Sequence, residues 1–444
     1  MDFSQAVKYL LGLGHETLTI KLGLRNTELL FQSLHNPERS FPAVQIAGTN
    51  GKGSVATMLD SICRAAGIKC GLYTSPHLVS ITERIKIAGT EITTDEFAAC
   101  ATTVREVSEQ LLRDKQLEAL PTFFEQVTAI ALLAFRNAGI ELAILETGLG
   151  GRLDSTTAAN AKLVAITPIA MDHEEYLGHT LESIAAEKAA IIRPCVSAVI
   201  GIQPPEAFEV LIRRCEETAV VPIFADSTHL IEDTSSDGRF CVTFEDIGET
   251  AANRYEKLWL GLRGKHQIDN AAMAIRLAEL LRIPQSAISD GITSATYPGR
   301  LELIPHEPAF LLDGAHNPAG CESLREYLEE FAARPLTLVF GAMRDKQLDR
   351  IGEILFPVAD TIILTAIDNP RSASVEMLEP IARRFATGTV IIAESSDEAL
   401  RIVRAQTPPE GLICIAGSLY LIGELRPSIL KLATKKHKHH DYAI

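Results

Sequence analysis

The chain alternates short apolar runs of strand length with longer segments of helical spacing, and this alternation limits the folds open to it. Residues 43–47 form an apolar run, and residues 53–66 then place apolar side chains at helical intervals. Further strand candidates lie at 68–73, 142–146, 163–167 and 197–202, with helical patterns at 124–137 and 184–192. Strands separated by helices indicate parallel βαβ units, so we predict an α/β fold with a doubly wound, mostly parallel sheet.

The pattern breaks at Tyr297-Pro298-Gly299-Arg300 and then restarts, which predicts a second domain. Strand candidates in this part are 310–312, 336–340, 361–365, 390–392 and 412–415. Before the break, 226–239 is polar and turn-rich, 240–244 and 258–260 predict short antiparallel strands, and 267–281 predicts a helix. We therefore expect a phosphate-loop domain at 1–297 with a small β-rich appendage, and a smaller α/β domain at 298–444.

Composition excludes several classes of protein. With 46% apolar and 22% charged residues, the chain is neither disordered nor fibrous. A net charge of −15 disfavours binding to nucleic acid. The eight cysteines form no CxxC pair, no basic segment precedes an apolar run at the start, and no apolar run reaches the about 18–20 residues that span a bilayer. We expect a soluble cytoplasmic protein without membrane or nucleic-acid partners.

The strongest local motif is the run Gly48-Thr49-Asn50-Gly51-Lys52-Gly53-Ser54 between a predicted strand and a predicted helix. In that context glycines let backbone N–H groups approach phosphate oxygens, and the helix N-terminus adds positive potential. Lys52 is placed to neutralise phosphate charge, and the Ser54 hydroxyl to reach Mg²⁺. Gly53 separates Lys52 from Ser54, which departs from the usual GxxxxGK[ST] spacing. A plain glycine-rich turn is the alternative, and the strand–loop–helix context favours nucleotide binding.

Polar residues also follow other predicted strands. Glu146 ends one of them, before a glycine-rich run at 147–154, and a carboxylate in that place is a natural Mg²⁺ ligand. Ser75 and His77 follow the strand at 68–73, where a hydroxyl could bind a hard cation. Taken alone, Ser75 and His77 are more typical of a turn, and His173 of a structural histidine.

Two further features allow more than one interpretation. Glu187 and Lys188 lie among apolar residues of a predicted helix, so they form either a surface ion pair or a site with a perturbed lysine. The run 313–318, which contains Asp313 and His316, follows a strand of the predicted second domain. A site built from both domains would suit a reaction with two substrates.

Taken together and in this order, the motifs resemble the folylpolyglutamate synthase and dihydrofolate synthase family, which are Mur-ligase-like, ATP-dependent amide ligases. The matching motifs are GTNGKGS, TSPHL, ERI, ETGLGGRLD, DHEEYLG, EKA, PGR, DGAHNP and AGSLYLIGE, from about Leu22 to Tyr420. The resemblance implies a first domain of the Mur-ligase central type and a Rossmann-like C-terminal domain.

The resemblance also implies roles for particular residues. ATP would contact Asn50, Gly51, Lys52, Gly53, Ser54, Asn270, Arg300, Asp313 and His316. Two Mg²⁺ ions would be held by Ser54, Ser75, Glu146, His173 and an N-carboxylated Lys188, and the family also leaves room for a monovalent cation. Lys52, Glu146, His173 and Lys188 would form the catalytic set.

The pterin-side substrate would meet Ile20, Lys21, Leu22, Thr122, Phe124, Glu125, Leu153, Asp154 and Ser155. An aromatic face stacks on a flat pterin, and carboxylates accept from its N–H edge. Three departures from the family pattern stand in the chain: LGGRLDSTTAAN for LGGRLDATN, EKAAI for EKAGI, and Lys21 where an acidic residue is common.

The resemblance therefore implies a monomeric enzyme that joins L-glutamate to dihydropteroate, to a reduced folate or to both, through an acyl phosphate formed with ATP. Two alternatives remain: another Mur-type peptide ligase, such as one of cell-wall synthesis, and an ATP-gated binding protein without catalysis. The TFFE and LGGRLD motifs disfavour the first, and the intact set of Lys52, Glu146, His173 and Lys188 disfavours the second.

Overall fold

The computed structural model describes residues 1–14, 23–225, 228–245 and 254–440, and it confirms the α/β fold. The strands are β1 Ala43–Ala47, β2 Cys70–Tyr73, β3 Ile85–Ile87, β4 Thr90–Glu91, β5 Leu142–Glu146, β6 Leu163–Ile166, β7 Ser197–Ile200, β8 Pro222–Phe224, β9 Thr228–Thr234, β10 Phe240–Glu245, β11 Tyr255–Trp259, β12 Glu302–Ile304, β13 Ala309–Leu312, β14 Leu336–Phe340, β15 Thr361–Thr365, β16 Thr389–Ala393 and β17 Leu412–Ala416.

The helices are α1 Phe3–Leu11, α2 Arg25–Ser33, α3 Lys52–Ala65, α4 Thr94–Arg113, α5 Phe123–Ala138, α6 Glu174–Leu177, α7 Leu181–Ala189, α8 Pro205–Thr218, α9 Gln267–Leu280, α10 Gln285–Ser294, α11 Pro318–Phe331, α12 Leu348–Leu355, α13 Val375–Phe385, α14 Ser396–Gln406 and α15 Leu419–His440. Short 3₁₀ turns occupy Pro37–Ser40, Ile81–Arg84, Ser155–Ala159 and Phe356–Val358.

An eight-stranded sheet, in the order β4-β3-β2-β5-β1-β6-β7-β8, organises the first part of the chain. β1 pairs in parallel with β5 on one side and β6 on the other, which places Ile46 opposite Glu146 and Ala165. β2 also pairs in parallel with β5. The loops that follow β1, β2, β5 and β6 therefore leave from the same edge of the sheet. The strand order reverses at β1, which lies between β5 and β6. Open α/β sheets bind ligands at such an edge.

Buried polar contacts hold the central strand in place. β1 is buried along its whole length, including Gln45. The Gln45 amide donates to the hydroxyls of Thr156 and Thr157 at 3.0 and 2.7 Å, which anchors the turn Ser155–Ala159 beside β1.

Gly291 of α10 packs directly on the backbone of Ile62 in α3, where an added Cβ would lie 2.5 Å from the Ile62 nitrogen. This close packing fixes the helix that begins at the phosphate loop.

A six-stranded sheet, in the order β12-β13-β17-β14-β15-β16, organises the second part. β13, β17, β14, β15 and β16 pair in parallel, and β12 joins β13 in antiparallel fashion. A buried core that includes Leu338, Phe340 and Ile362 surrounds this sheet. The predicted restart of βα alternation is thus confirmed.

The chain divides into two compact units, and each unit is built from three segments of the chain, in contrast to the single boundary predicted at 297/298. One unit comprises Met1–Leu230, Phe244–Leu258 and Asp269–Ala295, and the other comprises Ile231–Thr243, Trp259–Ile268 and Thr296–Ile444. Two segments that we expected in the first domain therefore group with the second. Their contacts explain this: Asp237 binds Arg263 at 2.7 Å, and its carbonyl accepts from the Tyr327 hydroxyl at 3.0 Å.

One local expectation was wrong. The segment predicted to be turn-rich, 226–239, contains strand β9, which belongs to a three-stranded sheet in the order β11-β10-β9. Nearly all of β9 is exposed, so its sequence shows no apolar alternation that could reveal a strand.

Among the helices described, none is long and apolar enough to cross a membrane.

Candidate functional site

The loop between β1 and α3 is held by the segment that follows β6. The N–H groups of Thr49 and Asn50 donate to the Pro168 carbonyl at 3.0 and 3.2 Å. The Thr49 hydroxyl donates to the Ala170 carbonyl at 3.1 Å and accepts from the Ala170 N–H at the same distance. These contacts hold the loop against the segment that follows β6.

Two glycines are required by the shape of this loop. Gly48 and Gly51 have φ values of 144° and 89°, a region that disfavours side chains. A Cβ on Gly48 would also overlap the Thr167 hydroxyl, and one on Gly51 would overlap the side-chain oxygen of Asn270. The backbone thus turns directly into α3, so that Lys52, Gly53 and Ser54 form its first turn, the part of a helix that attracts anions. Asn270, a predicted ATP contact, lies against the loop.

Two lysines converge on one carbonyl of the loop. Lys52 Nζ donates to the Gly48 and Thr49 carbonyls at 3.1 and 3.0 Å, and Lys188 Nζ donates to the Gly48 carbonyl at 2.7 Å. Lys188 is only 4% exposed. Burial, and secondly the charge of Lys52, lower the pKa of Lys188 to about 7, although Asp172 and Asp154 act in the opposite direction. The interpretation of Lys188 as a surface ion-pair partner of Glu187 is therefore wrong.

The Glu146 carboxylate lies at the carboxyl end of β5, beside the loop that follows β2. Glu146 is 4% exposed, and its Oε2 accepts from the Ser75 N–H at 3.1 Å. This hydrogen bond brings together two residues that the sequence analysis predicted as metal ligands. A buried carboxylate at this edge needs a compensating cation or hydrogen-bond donors.

His173 lies directly before α6 with φ 51°, an uncommon value for a residue with a side chain. Its N–H donates to Asp172 Oδ1 at 2.9 Å, and its Nε2 lies 3.9 Å from Asp172 Oδ2. Asp172 thus holds His173 and also acts on Lys188 through its charge, and Asp172 was not among the predicted site residues.

A polar cluster lies at the start of α5. Thr122 and Glu125 form a reciprocal cap: the Thr122 N–H donates to Glu125 Oε2 at 2.7 Å, and the Glu125 N–H donates to the Thr122 hydroxyl at 3.3 Å. Thr27 of α2 donates to Glu125 Oε1 at 3.2 Å and lies 3.4 Å from the Ser155 hydroxyl. Three predicted substrate-binding residues, Thr122, Glu125 and Ser155, therefore meet together with Thr27, which was not among the predicted residues.

The Phe124 ring lies beside this cluster. It is tilted against Tyr73, with ring centroids 6.0 Å apart. Gly148 packs under the ring, because an added Cβ would lie 2.5 Å from two of its carbons. The glycine-rich run after β5 is therefore shaped in part to accept an aromatic side chain.

Asp154 is bound by the backbone of its own loop. Its Oδ2 accepts from the N–H groups of Gly148 and Leu149 at 2.8 and 3.0 Å. Its Oδ1 accepts from the Thr156 N–H and hydroxyl at 2.9 and 2.5 Å. Burial raises the pKa of Asp154 against the effect of these hydrogen bonds. Asp154 thus shapes the loop, while the neighbouring Leu153 is 37% exposed.

The predicted ATP contacts of the second unit form a group of their own. Asp313 accepts from the N–H groups of Leu301 and Ala315 at 2.8 and 2.9 Å. Burial raises the pKa of Asp313, and the charge of Arg300 opposes this shift. His316 Nδ1 donates to the Gly314 carbonyl at 2.7 Å, which leaves Nε2 as the acceptor of the neutral ring.

Three predicted residues, Ile20, Lys21 and Leu22, lie outside the described residues. Within the described ranges, no group of three or more His, Cys, Asp and Glu side chains could hold a metal ion. The predicted metal ligands differ from such a group, since they combine two serines and a lysine with one glutamate and one histidine.

Comparison with known proteins agrees with this architecture. The Mur ligase middle domain matches residues 46–278, and the Mur ligase glutamate ligase domain matches residues 299–419. A Bacillus subtilis dihydrofolate synthase/folylpolyglutamate synthase is 34% identical over 92% of this chain and 95% of its own length. The chain spans about half the length, 52%, of a Haloferax volcanii relative named for both folylpolyglutamate synthase and dihydropteroate synthase, with which it shares 34% identity.

Solved structures show the same similarity. A Mycobacterium tuberculosis folylpolyglutamate synthase complexed with ADP has a TM-score of 0.89 and 32% identity, over 96% of this chain and 98% of that one. Escherichia coli FolC in complex with DHPP and ADP has a TM-score of 0.85 and 29% identity, over 97% and 98% of the two chains.

The fold and the loop geometry thus define a Mur ligase. Within that class, the chain belongs to the dihydrofolate synthase/folylpolyglutamate synthase family.

Proposed function

We propose that this chain uses ATP to join L-glutamate to a folate-type carboxylate. The acceptor would be dihydropteroate, tetrahydrofolate or both, so that the enzyme is a dihydrofolate synthase, a folylpolyglutamate synthase or a bifunctional enzyme. The observation that carries this proposal is the convergence of Lys52 and Lys188 on the Gly48 carbonyl of the loop, with the Glu146 carboxylate at the end of the neighbouring strand. Relatives that match nearly the full chain carry these enzyme names, which favours folate ligation over cell-wall peptide ligation.

The reaction requires two group transfers. A substrate carboxylate oxygen attacks the γ-phosphorus of ATP, and the bond between that phosphorus and the β–γ bridging oxygen breaks. ADP departs, and the substrate becomes an acyl phosphate. The amine of L-glutamate then attacks the acyl carbon, loses a proton and expels inorganic phosphate, which leaves an amide. The chain contributes mainly position and charge, because the Lys52 ammonium stabilises negative charge that develops on the phosphate oxygens.

The donor chemistry of the site fits Mg²⁺. Glu146 and the hydroxyls of Ser54 and Ser75 would supply the hard oxygen ligands that Mg²⁺ prefers, and His173 would supply a nitrogen for a second ion. When bound, the ions would neutralise phosphate charge. The ammonium form of Lys188 repels cations, so a role for Lys188 in metal binding requires a change in its chemistry.

N-carboxylation supplies that change. The neutral amine of Lys188 attacks CO₂, a nitrogen–carbon bond forms, a proton leaves to solvent, and the product is an anionic carbamate. Burial and Lys52 support this step, because a pKa of about 7 keeps a large fraction of the amine neutral near pH 7. With ¹³CO₂ we expect a protein carbamate signal in the ¹³C NMR spectrum that is absent in Lys188→Gln and retained in Lys115→Gln. An unchanged signal in Lys188→Gln would contradict the assignment.

The acceptor side would use the cluster of Thr122, Phe124, Glu125 and Ser155. The Phe124 ring offers a face for a flat pterin, and the carboxylate and hydroxyls offer partners for its N–H edge. We further propose that residues 1–297 carry this pocket and the phosphate loop, whereas residues 298–444 contribute Arg300, Asp313 and His316 to ATP. We propose that the chain acts as a monomer in the cytoplasm on small molecules, and the net charge of −15 disfavours nucleic acid and anionic membranes as partners.

Product analysis tests the function directly. The protein is incubated with ATP, Mg²⁺, L-glutamate and either dihydropteroate or tetrahydrofolate, and products are identified by mass. We expect ADP release that depends on glutamate, together with a product heavier by one glutamate residue. Lys52→Ala and Glu146→Ala should abolish turnover but keep the native circular dichroism spectrum, while Lys115→Ala, a surface control, remains active. No glutamate-dependent ADP release with either acceptor would refute the proposal.

A further inference from the structure

A large cavity lies at the edge of the eight-stranded sheet opposite the phosphate loop. Its volume is about 1050 Å³, and it is lined by residues of α2, the turn Pro37–Ser40, the turn Ser155–Ala159 and α8. Pro42 and Ala43, at the start of β1, and Lys162, directly before β6, also line it. Because β1 has five residues, the cavity and the phosphate loop are about 16 Å apart. We call it the amino-edge cavity.

Its lining holds five basic residues, Arg39, Arg152, Lys162, Arg193 and Arg214, and two acidic residues, Glu28 and Glu38. Three of the cations are ion-paired, Arg39 with Glu38, Arg152 with Glu187 and Arg214 with Glu217, so among the described residues Lys162 and Arg193 supply the unpaired positive charge. This local excess occurs in a chain whose net charge is −15, so it is not a consequence of overall composition. Concave sites lined by one sign of charge concentrate ligands of the opposite sign.

Arg193 is positioned by neutral groups, because it donates to the carbonyls of Thr157 and Ala161, each at 3.0 Å. Arg214 donates to the Ile192 carbonyl at 2.9 Å and also lies 3.5 Å from Glu217. In the part of the chain that the structure describes, Arg193 has no acidic partner. Carbonyls orient a guanidinium but leave its net charge in place, so this charge remains available to an anion.

A donor atom in the wall supports the same conclusion. Arg193 Nε is buried without a hydrogen-bond partner among the described residues. Glu38 Oε2 is also buried and unpartnered, but a carboxylate oxygen accepts hydrogen bonds, so it requires a donor and lends no support to an anion. Buried unsatisfied donors are rare in native proteins, so Arg193 has a donor left for an acceptor group of a ligand. The lining also includes Phe31 and Phe41, which give the cavity an apolar side.

We propose that the amino-edge cavity binds a small multivalent anion, with phosphate or carboxylate groups held by Arg39, Lys162 and Arg193. Segments that line it also carry predicted site residues. The turn Ser155–Ala159 holds Ser155, and Arg193 follows α7, which holds Lys188. An anion in this cavity therefore contacts segments that reach the phosphate-loop edge of the sheet. The site is separate from the proposed ligase site, and its test needs no turnover.

Calorimetric titration tests the proposal with two probes, tripolyphosphate and the tripeptide γ-Glu-γ-Glu-Glu. Both are added in the presence of saturating ADP, which occupies the phosphate loop. The two probes separate a phosphate ligand from a carboxylate ligand, and we expect at least one to bind with a stoichiometry of one.

A charge-matched pair of variants then locates the site. Lys162→Gln combined with Arg39→Gln removes two exposed cations of the cavity, and we expect Kd to rise about fivefold or more, since exposed charge pairs contribute modestly. The control, Lys115→Gln combined with Arg325→Gln, removes two exposed cations elsewhere and should leave Kd unchanged. The proposal is overturned if neither probe binds the native chain, or if both double variants weaken binding equally.

Discussion

Replacing Gly148 by alanine should damage acceptor binding through Phe124. The added Cβ would lie 2.5 Å from Cε2 and Cζ of Phe124 and 3.2 Å from Cε1. Carbon atoms in contact are usually about 3.5–4.0 Å apart, so the ring must move by about 1 Å or more. Tyr73 packs against the ring and limits its escape.

The structure bounds the size of this effect. Overpacking in a folded interior costs about 1–3 kcal/mol, so the free energy of unfolding should fall by about that amount. If the displacement of the ring weakens acceptor binding by the same free energy, KM for the acceptor rises about 5- to 150-fold, since about 1.4 kcal/mol corresponds to a factor of ten. KM for ATP should stay within about twofold of the native value, because Phe124 is on the acceptor side.

The assay measures both KM values and the urea unfolding curve. The control is Gly320→Ala in α11, where an added Cβ comes no closer than 3.2 Å to another atom. Phe124→Leu completes a double-mutant cycle, and the smaller side chain should relieve about 1 kcal/mol or more of the destabilisation by Gly148→Ala. If Gly148→Ala changes neither stability nor acceptor KM, or if Phe124→Leu gives no relief, the packing argument is wrong.

Two other predictions concern buried ionisable side chains. In Asp154→Asn the amide NH2 must face either the N–H groups of Gly148 and Leu149 or the Thr156 N–H, so a buried donor loses its acceptor in both orientations. The free energy of unfolding should fall by about 2 kcal/mol or more, and an unchanged urea midpoint would contradict the assigned role. Burial, and secondly the charge of Arg300, lower the pKa of His266 from 6.5 to about 4. Protons therefore bind the unfolded chain first, so the contribution of neutral His266 to stability is complete above pH 6.5 and is lost as the pH falls from 6.5 to 4. Over that window the free energy of unfolding should fall by about 3 kcal/mol more in the native chain than in His266→Gln, as measured by urea unfolding at each pH.

Strands buried on both faces were the easiest elements to predict. β1, β5, β14 and β15 begin and end at the predicted residues, because parallel strands covered by helices form continuous apolar runs. Exposed β9 has no such run and was missed. Local sequence therefore predicts the central strands well and the strands in solvent poorly.

The site divides in the same way. The positions of the loop 48–54 and of Glu146 were predictable, because the loop directly follows β1 and Glu146 ends β5, whereas the roles of these residues stay predictions. Thr27 was not predictable, because it meets Glu125 across 98 positions of the chain. The packing of Gly148 under Phe124 depends equally on a distant contact. Sequence spacing thus indicates which loops carry chemistry, whereas the partner of each side chain depends on tertiary packing.

The charges around Gly48 show why the chemical state of Lys188 matters. Two ammonium groups share its carbonyl, and two carboxylates, Glu146 and Asp172, lie at the same sheet edge. With Lys188 as an ammonium, these four side chains carry no net charge and offer little attraction for a divalent cation. Asp154, whose charge also acts on Lys188, is occupied by four hydrogen-bond donors of its own loop. As a carbamate, Lys188 would bring the set to two negative charges, which one Mg²⁺ balances. A single modification of a buried lysine would then convert a neutral sheet edge into a metal site beside the phosphates.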